Sequence, residues 1–159
     1  MSKIAIINDT HFGVRNGSDI FMDYMNKFFT DVFYDRINIH MNPTDLEFDE
    51  LSVGLLPWIS IDNYDECMDF IQNSKSSIIV SHLELNGFKM MKGIAVSSHG
   101  MDPKLFSRYE MVLSGHYHTK SSEGNIHYLG TQYELTWADA GDPKHFHMKW
   151  IGQGIPTML

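Results

Sequence analysis

The chain has a single cysteine, Cys67, so it cannot form an internal disulfide. Within YDECMDFI that residue falls on the apolar stripe of an expected helix, which makes it a buried thiol and not a redox group. Basic residues are also sparse: 12 Lys and Arg against 20 Asp and Glu leave a formal charge of -8. That balance excludes wide, unspecific contact with phosphate backbones, which requires Lys and Arg in quantity. No apolar run approaches the roughly 20 residues of a membrane helix. The opening MSKIAIIND runs into a strand without a signal-peptide pattern, so the expected compartment is the cytoplasm. Repeats, low-complexity stretches and linkers are missing as well. A chain of 159 residues with 43% hydrophobic and 13% aromatic content is therefore expected to build one domain around an ordinary core.

What is plentiful is histidine, with nine in the chain beside the 20 acidic residues, and this composition suggests metal binding. The placement of several of them sharpens that suggestion. The apolar run at residues 3–7 reads as a buried strand stopping at Asn8, Asp9, Thr10 and His11, followed by a loop containing Gly13 and Gly17. An amphipathic helix is expected from Ser18, with Phe21, Met25, Phe28, Phe29, Val32 and Phe33 at helical spacing. Residues 35–43 are too short for another strand and helix, and residues 45–49 read as a turn region. A strand follows at 52–59, ending at Pro57 and Trp58, and then a helix marked by Tyr64, Cys67, Met68 and Ile71 that ends near Asn73. The strand expected at 77–81 runs directly into His82, and the one at 111–114 runs into Gly115, His116, Tyr117 and His118. Between them, Asp102 and Pro103 have the cap chemistry of a short helix over 104–107. Further strands are expected at 126–129, 133–137 and 146–151.

Three apolar strands thus end in Asp9 and His11, in His82, and in His116 and His118. In open α/β sheets the carboxyl edge is where ligands gather, so these five residues converge if the strands share that edge in register. In extended backbone His116 and His118 would point to opposite sides and serve two different metals.

In that order, Asp9-Thr10-His11, His82 and Gly115-His116-Tyr117-His118 resemble the first and the last two metal motifs of calcineurin-like metallophosphoesterases. Leu55-Leu56-Pro57-Trp58, Ser81-His82-Leu83-Glu84-Leu85-Asn86-Gly87-Phe88, Ser114 to Thr119 and Tyr128-Leu129-Gly130-Thr131 look like phage relatives of the SbcD-type DNA repair exonuclease. The resemblance implies an α/β fold, a metallophosphoesterase-like β-sandwich flanked by helices. It also implies a two-metal phosphodiesterase that usually works with Mn2+ on DNA, with Asp9, His11 and His118 on one ion and His82 and His116 on the other. Two ions would make sense of an acidic chain acting on a polyanion.

The chain departs from the family at its centre. A Gly-Asp motif, whose aspartate bridges the ions, and a Gly-Asn-His motif, which supplies an asparagine ligand and the catalytic histidine, are carried by the family between the first motif and the middle strand, and both are missing there, between His11 and His82. About two strand-helix units at ~30 residues each are missing, with the apparent junction near residues 34–42 of a single shortened domain spanning 1–159. Asn38, His40, Asp31 and Asp35 have neither the spacing nor the glycines to replace them. Beside the nuclease stand two other readings. One is an impaired or inactive remnant holding at most one metal, because two ions without a bridging carboxylate repel each other with less compensation. The other is a module that binds an SbcC-like ATPase partner. An exposed edge along residues 4–7 would further favour a homodimer. Met90, Met91 and the aromatic residues around Trp137 read as core or lid packing, and Asp139 and Asp142 as a turn before Pro143. His99, His127, His145 and His147 are assigned no site.

Overall fold

The computed structural model describes residues 20, 23, 27, 31, 38, 40–48, 51–91, 93, 98–145 and 147. Asp9, His11, the first strand, the apolar positions Phe21 to Phe33 of the first helix and, apart from His147, the last expected strand lie outside the described residues. Of that first helix, Ile20, Asp23, Lys27 and Asp31 are helical and exposed, and Lys27 pairs with Asp31 one turn on at 2.6 Å.

Six strands form one mixed sheet: β1 (Thr44–Phe48), β2 (Leu51–Leu56), β3 (Ile78–Ser81), β4 (Met111–Ser114), β5 (Ser121–Glu123) and β6 (Ile126–Tyr128). Their spatial order is β1-β2-β3-β4-β6-β5. The four inner strands are parallel, and β1 and β5 run antiparallel along the edges. This bears out the expected α/β class. All four residues of β3 are buried, as a central parallel strand covered on both faces requires. Ile79, 0% exposed, points into the main core with Leu56, Cys67, Ile71 and Val112. Ile78 and Val80 join Val53 on the opposite face. Full burial of a side chain such as Ile79 contributes about 1.5–3 kcal/mol.

The Tyr64–Asn73 helix crosses from β2 to β3, buries Cys67 and Ile71, and ends where the apolar spacing predicts. Burial pushes the Cys67 thiol pKa up, in keeping with a packing role. Gly54 allows the helix to approach the sheet, because a Cβ there would stand 2.6 Å from Ile79 Cδ1 and 3.2 Å from the Phe70 ring. The last carbonyls of the helix are satisfied from outside. Arg108 donates to Ile71 O at 3.1 Å and Ser74 O at 2.8 Å, and the Tyr109 hydroxyl donates to Ile71 O at 2.8 Å.

Three local expectations are corrected. Residues expected to turn at 45–49 instead form β1 through Phe48, paired in register with β2. Asp45 faces the end of the helix, where its carboxylate accepts hydrogen bonds from the Ser74 and Ser76 hydroxyls at 2.6 Å each. Burial alone would raise its pKa, but these bonds and the backbone N–H of Lys75 hold it below the ordinary value. The expected strand at 133–137 is a series of bends leading into a 3-10 turn, Trp137–Asp139, which Thr136 and Asp139 cap reciprocally. Trp137 is 97% exposed, so it is neither core nor lid packing. Met90, in contrast, packs against the core.

Candidate functional site

The inner strands are aligned so that Leu56, Ser81, Ser114 and Tyr128 stand side by side at the carboxyl edge. The chain beyond each residue therefore leaves the sheet at the same edge, where a ligand site is expected in an open parallel sheet. Trp58 follows β2, His82 follows β3 and His116 follows β4. Their rings meet: His82 and His116 lie 5.2 Å apart between centroids, nearly edge to face, and Trp58 lies 5.7 Å from His82 and 5.1 Å from His116. Two of the five expected ligands are thus brought together.

Hydrogen bonds on both sides of each imidazole fix this arrangement. The Gly115 N–H donates to Ser81 O at 3.1 Å, and the Leu83 N–H donates to Ser114 Oγ at 2.9 Å, so β3 and β4 remain tied immediately before and after His82. The Tyr128 hydroxyl then donates to Leu83 O at 2.9 Å and accepts from the Leu85 N–H at 3.1 Å, while Tyr117 donates to Leu85 O at 2.9 Å. Tyr117 and Tyr128 stack at 4.4 Å, and burial pushes the Tyr128 pKa well above the ordinary tyrosine value. On the other flank, Asn63 at the start of the helix donates from Nδ2 to Trp58 O at 2.9 Å and accepts from the Ser60 N–H at 2.7 Å. The turn carrying the indole is thereby pinned to the helix.

His116 has φ +81°, the one positive φ of a non-glycine residue among the described residues. The 115–118 segment is therefore not extended there, and the expectation of simple alternation between the two imidazoles is corrected. A left-handed conformation costs an ordinary L-residue on the order of 1–3 kcal/mol and persists where the surroundings impose it, often at functional sites.

His118 belongs to a second cluster. Its Nδ1 lies 3.0 and 3.1 Å from the two oxygens of Asp139, which is 1% exposed. Asp139 also accepts from the backbone N–H of Leu135 at 3.1 Å, from that of Thr136 at 2.8 Å, and from the Thr136 hydroxyl at 2.9 Å. Lys144 donates to the same carboxylate at 3.2 Å, to Asp142 at 3.1 Å and to the His118 carbonyl at 3.2 Å. Burial by itself would raise the Asp139 pKa, but the hydrogen bonds from Thr136, His118 and Lys144 outweigh it and hold the group far below the ordinary carboxylate range. A carboxylate ionised at all working pH values only accepts, so Nδ1 of His118 carries a proton and the neutral ring has its lone pair on Nε2. Carboxylate-backed histidine is the usual arrangement behind a metal-ligating imidazole. Asp139, read from sequence as a turn residue, is thus the polar anchor of His118. The signal that could have found it is the Thr136 to Asp139 spacing of a reciprocal cap, although the contact with His118 is long-range.

Among the described residues no group of three or more His, Cys, Asp or Glu side chains converges as a complete metal cage. The donors present are two adjoining imidazoles and a third held by a carboxylate, a set whose chemistry fits a divalent transition metal. Asp9 and His11 lie outside the described residues. His127 Nδ1 lies 2.9 Å from Ser122 Oγ, and His147 Nε2 lies 2.8 Å from the Leu129 carbonyl. No helix among the described residues is long and apolar enough to cross a membrane.

No protein-family model matches the chain. Over 115 residues the chain is 39% identical to exonuclease subunit 1 of Enterobacteria phage T4, in a match covering 72% of this chain and 33% of that protein. The chain therefore spans about a third of the length of the curated relative it matches, and the similarity relates it to a nuclease subunit.

Proposed function

We propose that the chain is a metal-dependent phosphodiester hydrolase of the calcineurin-like metallophosphoesterase family, of the SbcD-type repair nuclease kind, acting on DNA. The observation that carries this reading is the His82–His116 pair, set 5.2 Å apart at the carboxyl edge by two in-register parallel strands. His82 and His116 would hold one Mn2+, and His118, through Nε2, would join Asp9 and His11 on another. A bound divalent cation supplies positive charge opposite the phosphodiester, which this acidic chain otherwise lacks. The protein's own contributions are positional. Ser114, Tyr117 and Tyr128 immobilise the loop that carries His82, the strained backbone at His116 aims that ring, and Asp139 fixes the tautomer of His118.

The relative's name marks it as one subunit of an exonuclease. By extension, the chain would work beside another subunit, for which an SbcC-like ATPase is the partner the resemblance implies. A second reading is favoured by the sequence itself, which lacks the bridging Gly-Asp and the Gly-Asn-His motifs between His11 and His82. On that reading the chain is a shortened relative of the nuclease that keeps a metal site and has lost turnover. Incubation of linear DNA with the purified chain and Mn2+ decides between them. Cleavage that disappears in His116→Ala supports the hydrolase. No cleavage by the native chain supports the remnant, and cleavage surviving in His116→Ala rejects this site as its source.

A further inference from the structure

We infer that Trp58 is a stacking platform for a nucleobase of a single-stranded DNA end bound at the His82–His116 edge, an inference that rests on the nuclease reading above. Three observations carry it. The indole is 46% exposed, although it sits at the mouth of the candidate site within 5.1 Å of one imidazole and 5.7 Å of the other. It is also held in place, because Asn63 pins its carbonyl and the following turn to the helix. Finally, the shallow recess beside it is lined by Trp58, Ile59, His82, Glu84 and Met101 with no Lys or Arg, and Gly100 closes its wall.

A recess lined by Trp58, Ile59, Leu83 and Met101 and without Lys or Arg suits a flat, uncharged ring. Gly100 shapes that wall by close approach. At φ +97°, any Cβ it carried would stand 2.5 Å from the Glu84 carbonyl oxygen. A phosphodiester positioned at the imidazoles leaves its adjoining base within reach of the indole, and every base offers a π-face for stacking. The charge that single-strand binders usually draw from basic side chains would come from the cations of the proposed site.

The test measures binding, not turnover. An end-labelled oligothymidylate and an abasic oligomer of equal length are titrated with the native chain by fluorescence anisotropy in calcium buffer. The expected result is at least about five-fold tighter binding of the oligothymidylate. Trp58→Ala should erase that difference and Trp58→Phe should keep most of it. Equal binding of both oligomers by the native chain, or measurable binding of neither, overturns the inference without recourse to any variant. So does unchanged discrimination in a folded Trp58→Ala. Base discrimination that persists in a chain failing to bind Mn2+ sustains the stacking site and removes the metal reading, so the two failures are distinguishable.

Discussion

Removal of the Asp139 carboxylate separates its structural role from its effect on His118. In Asp139→Ala, Lys144, with 10% of its side chain exposed, loses one of two acidic partners, and the Leu135 N–H, the Thr136 N–H and hydroxyl, and His118 Nδ1 lose their acceptor. Breaking a buried ion pair costs about 3–5 kcal/mol. Because Lys144 keeps Asp142 and the His118 carbonyl, the lower end applies, and a loss of about 3 kcal/mol is expected. Asp139→Asn should behave differently. Its amide oxygen is best spent on the two backbone N–H groups, which turns the NH2 toward His118 and Lys144. Nδ1 of His118 then accepts instead of donating, the ring proton moves to Nε2, and the lone pair that would face a metal is lost. Urea unfolding followed by circular dichroism measures the first effect, and histidine 15N shifts with Mn2+ titration measure the second. A cost below about 1 kcal/mol for Asp139→Ala would refute the anchor. An unchanged His118 tautomer in Asp139→Asn would refute the hydrogen-bond argument.

The same carboxylate sets a pH dependence. With its folded pKa depressed, the stabilisation it provides is complete above the ordinary carboxylate value near ~3.9 and is lost as pH falls through the folded value. Asp45 acts in the same direction. The urea midpoint should therefore hold flat through neutral pH and decline in acid, less steeply in Asp139→Ala. Tyr128→Phe removes a hydroxyl that serves both Leu83 and Leu85, and should cost about 1–3 kcal/mol in the same unfolding assay. Gly54→Val should cost about 1–3 kcal/mol by pressing Ile79 and Phe70 apart, read as a lower midpoint at unchanged slope. At His116 the two truncations should diverge. His116→Gly should be more stable than His116→Ala by about 1 kcal/mol, because only glycine meets φ +81° without strain.

The parts of the fold legible in sequence are those whose local pattern and tertiary role agree. Ile78, Ile79 and Val80 form a β-branched run that is buried on both faces, and the positions Cys67 and Ile71 give the helix its buried stripe. The convergence of His82 and His116 followed from where their strands end. Strand β1 escaped notice because Pro43, Asp45 and Asp49 carry turn chemistry, while the role of Asp45 is set by Ser74 and Ser76 some thirty residues away. Strand β5 is a short polar edge, Ser121–Glu123, stabilised by pairing with β6 and not by propensity. The anchor at Asp139 rests on a contact with His118 across 21 positions, and the left-handed backbone at His116 violates the residue's local preference, so neither is visible to a local rule. Both departures fall at the candidate site, where local and tertiary demands are expected to conflict.

Isothermal titration of the native chain with Mn2+, repeated on His82→Ala and His116→Ala, tests the central claim most directly. Saturable binding that is lost or weakened at least ten-fold in each variant, about 1.4 kcal/mol or more, is the predicted result. No binding by the native chain, or equal binding by native chain and both variants, would contradict it.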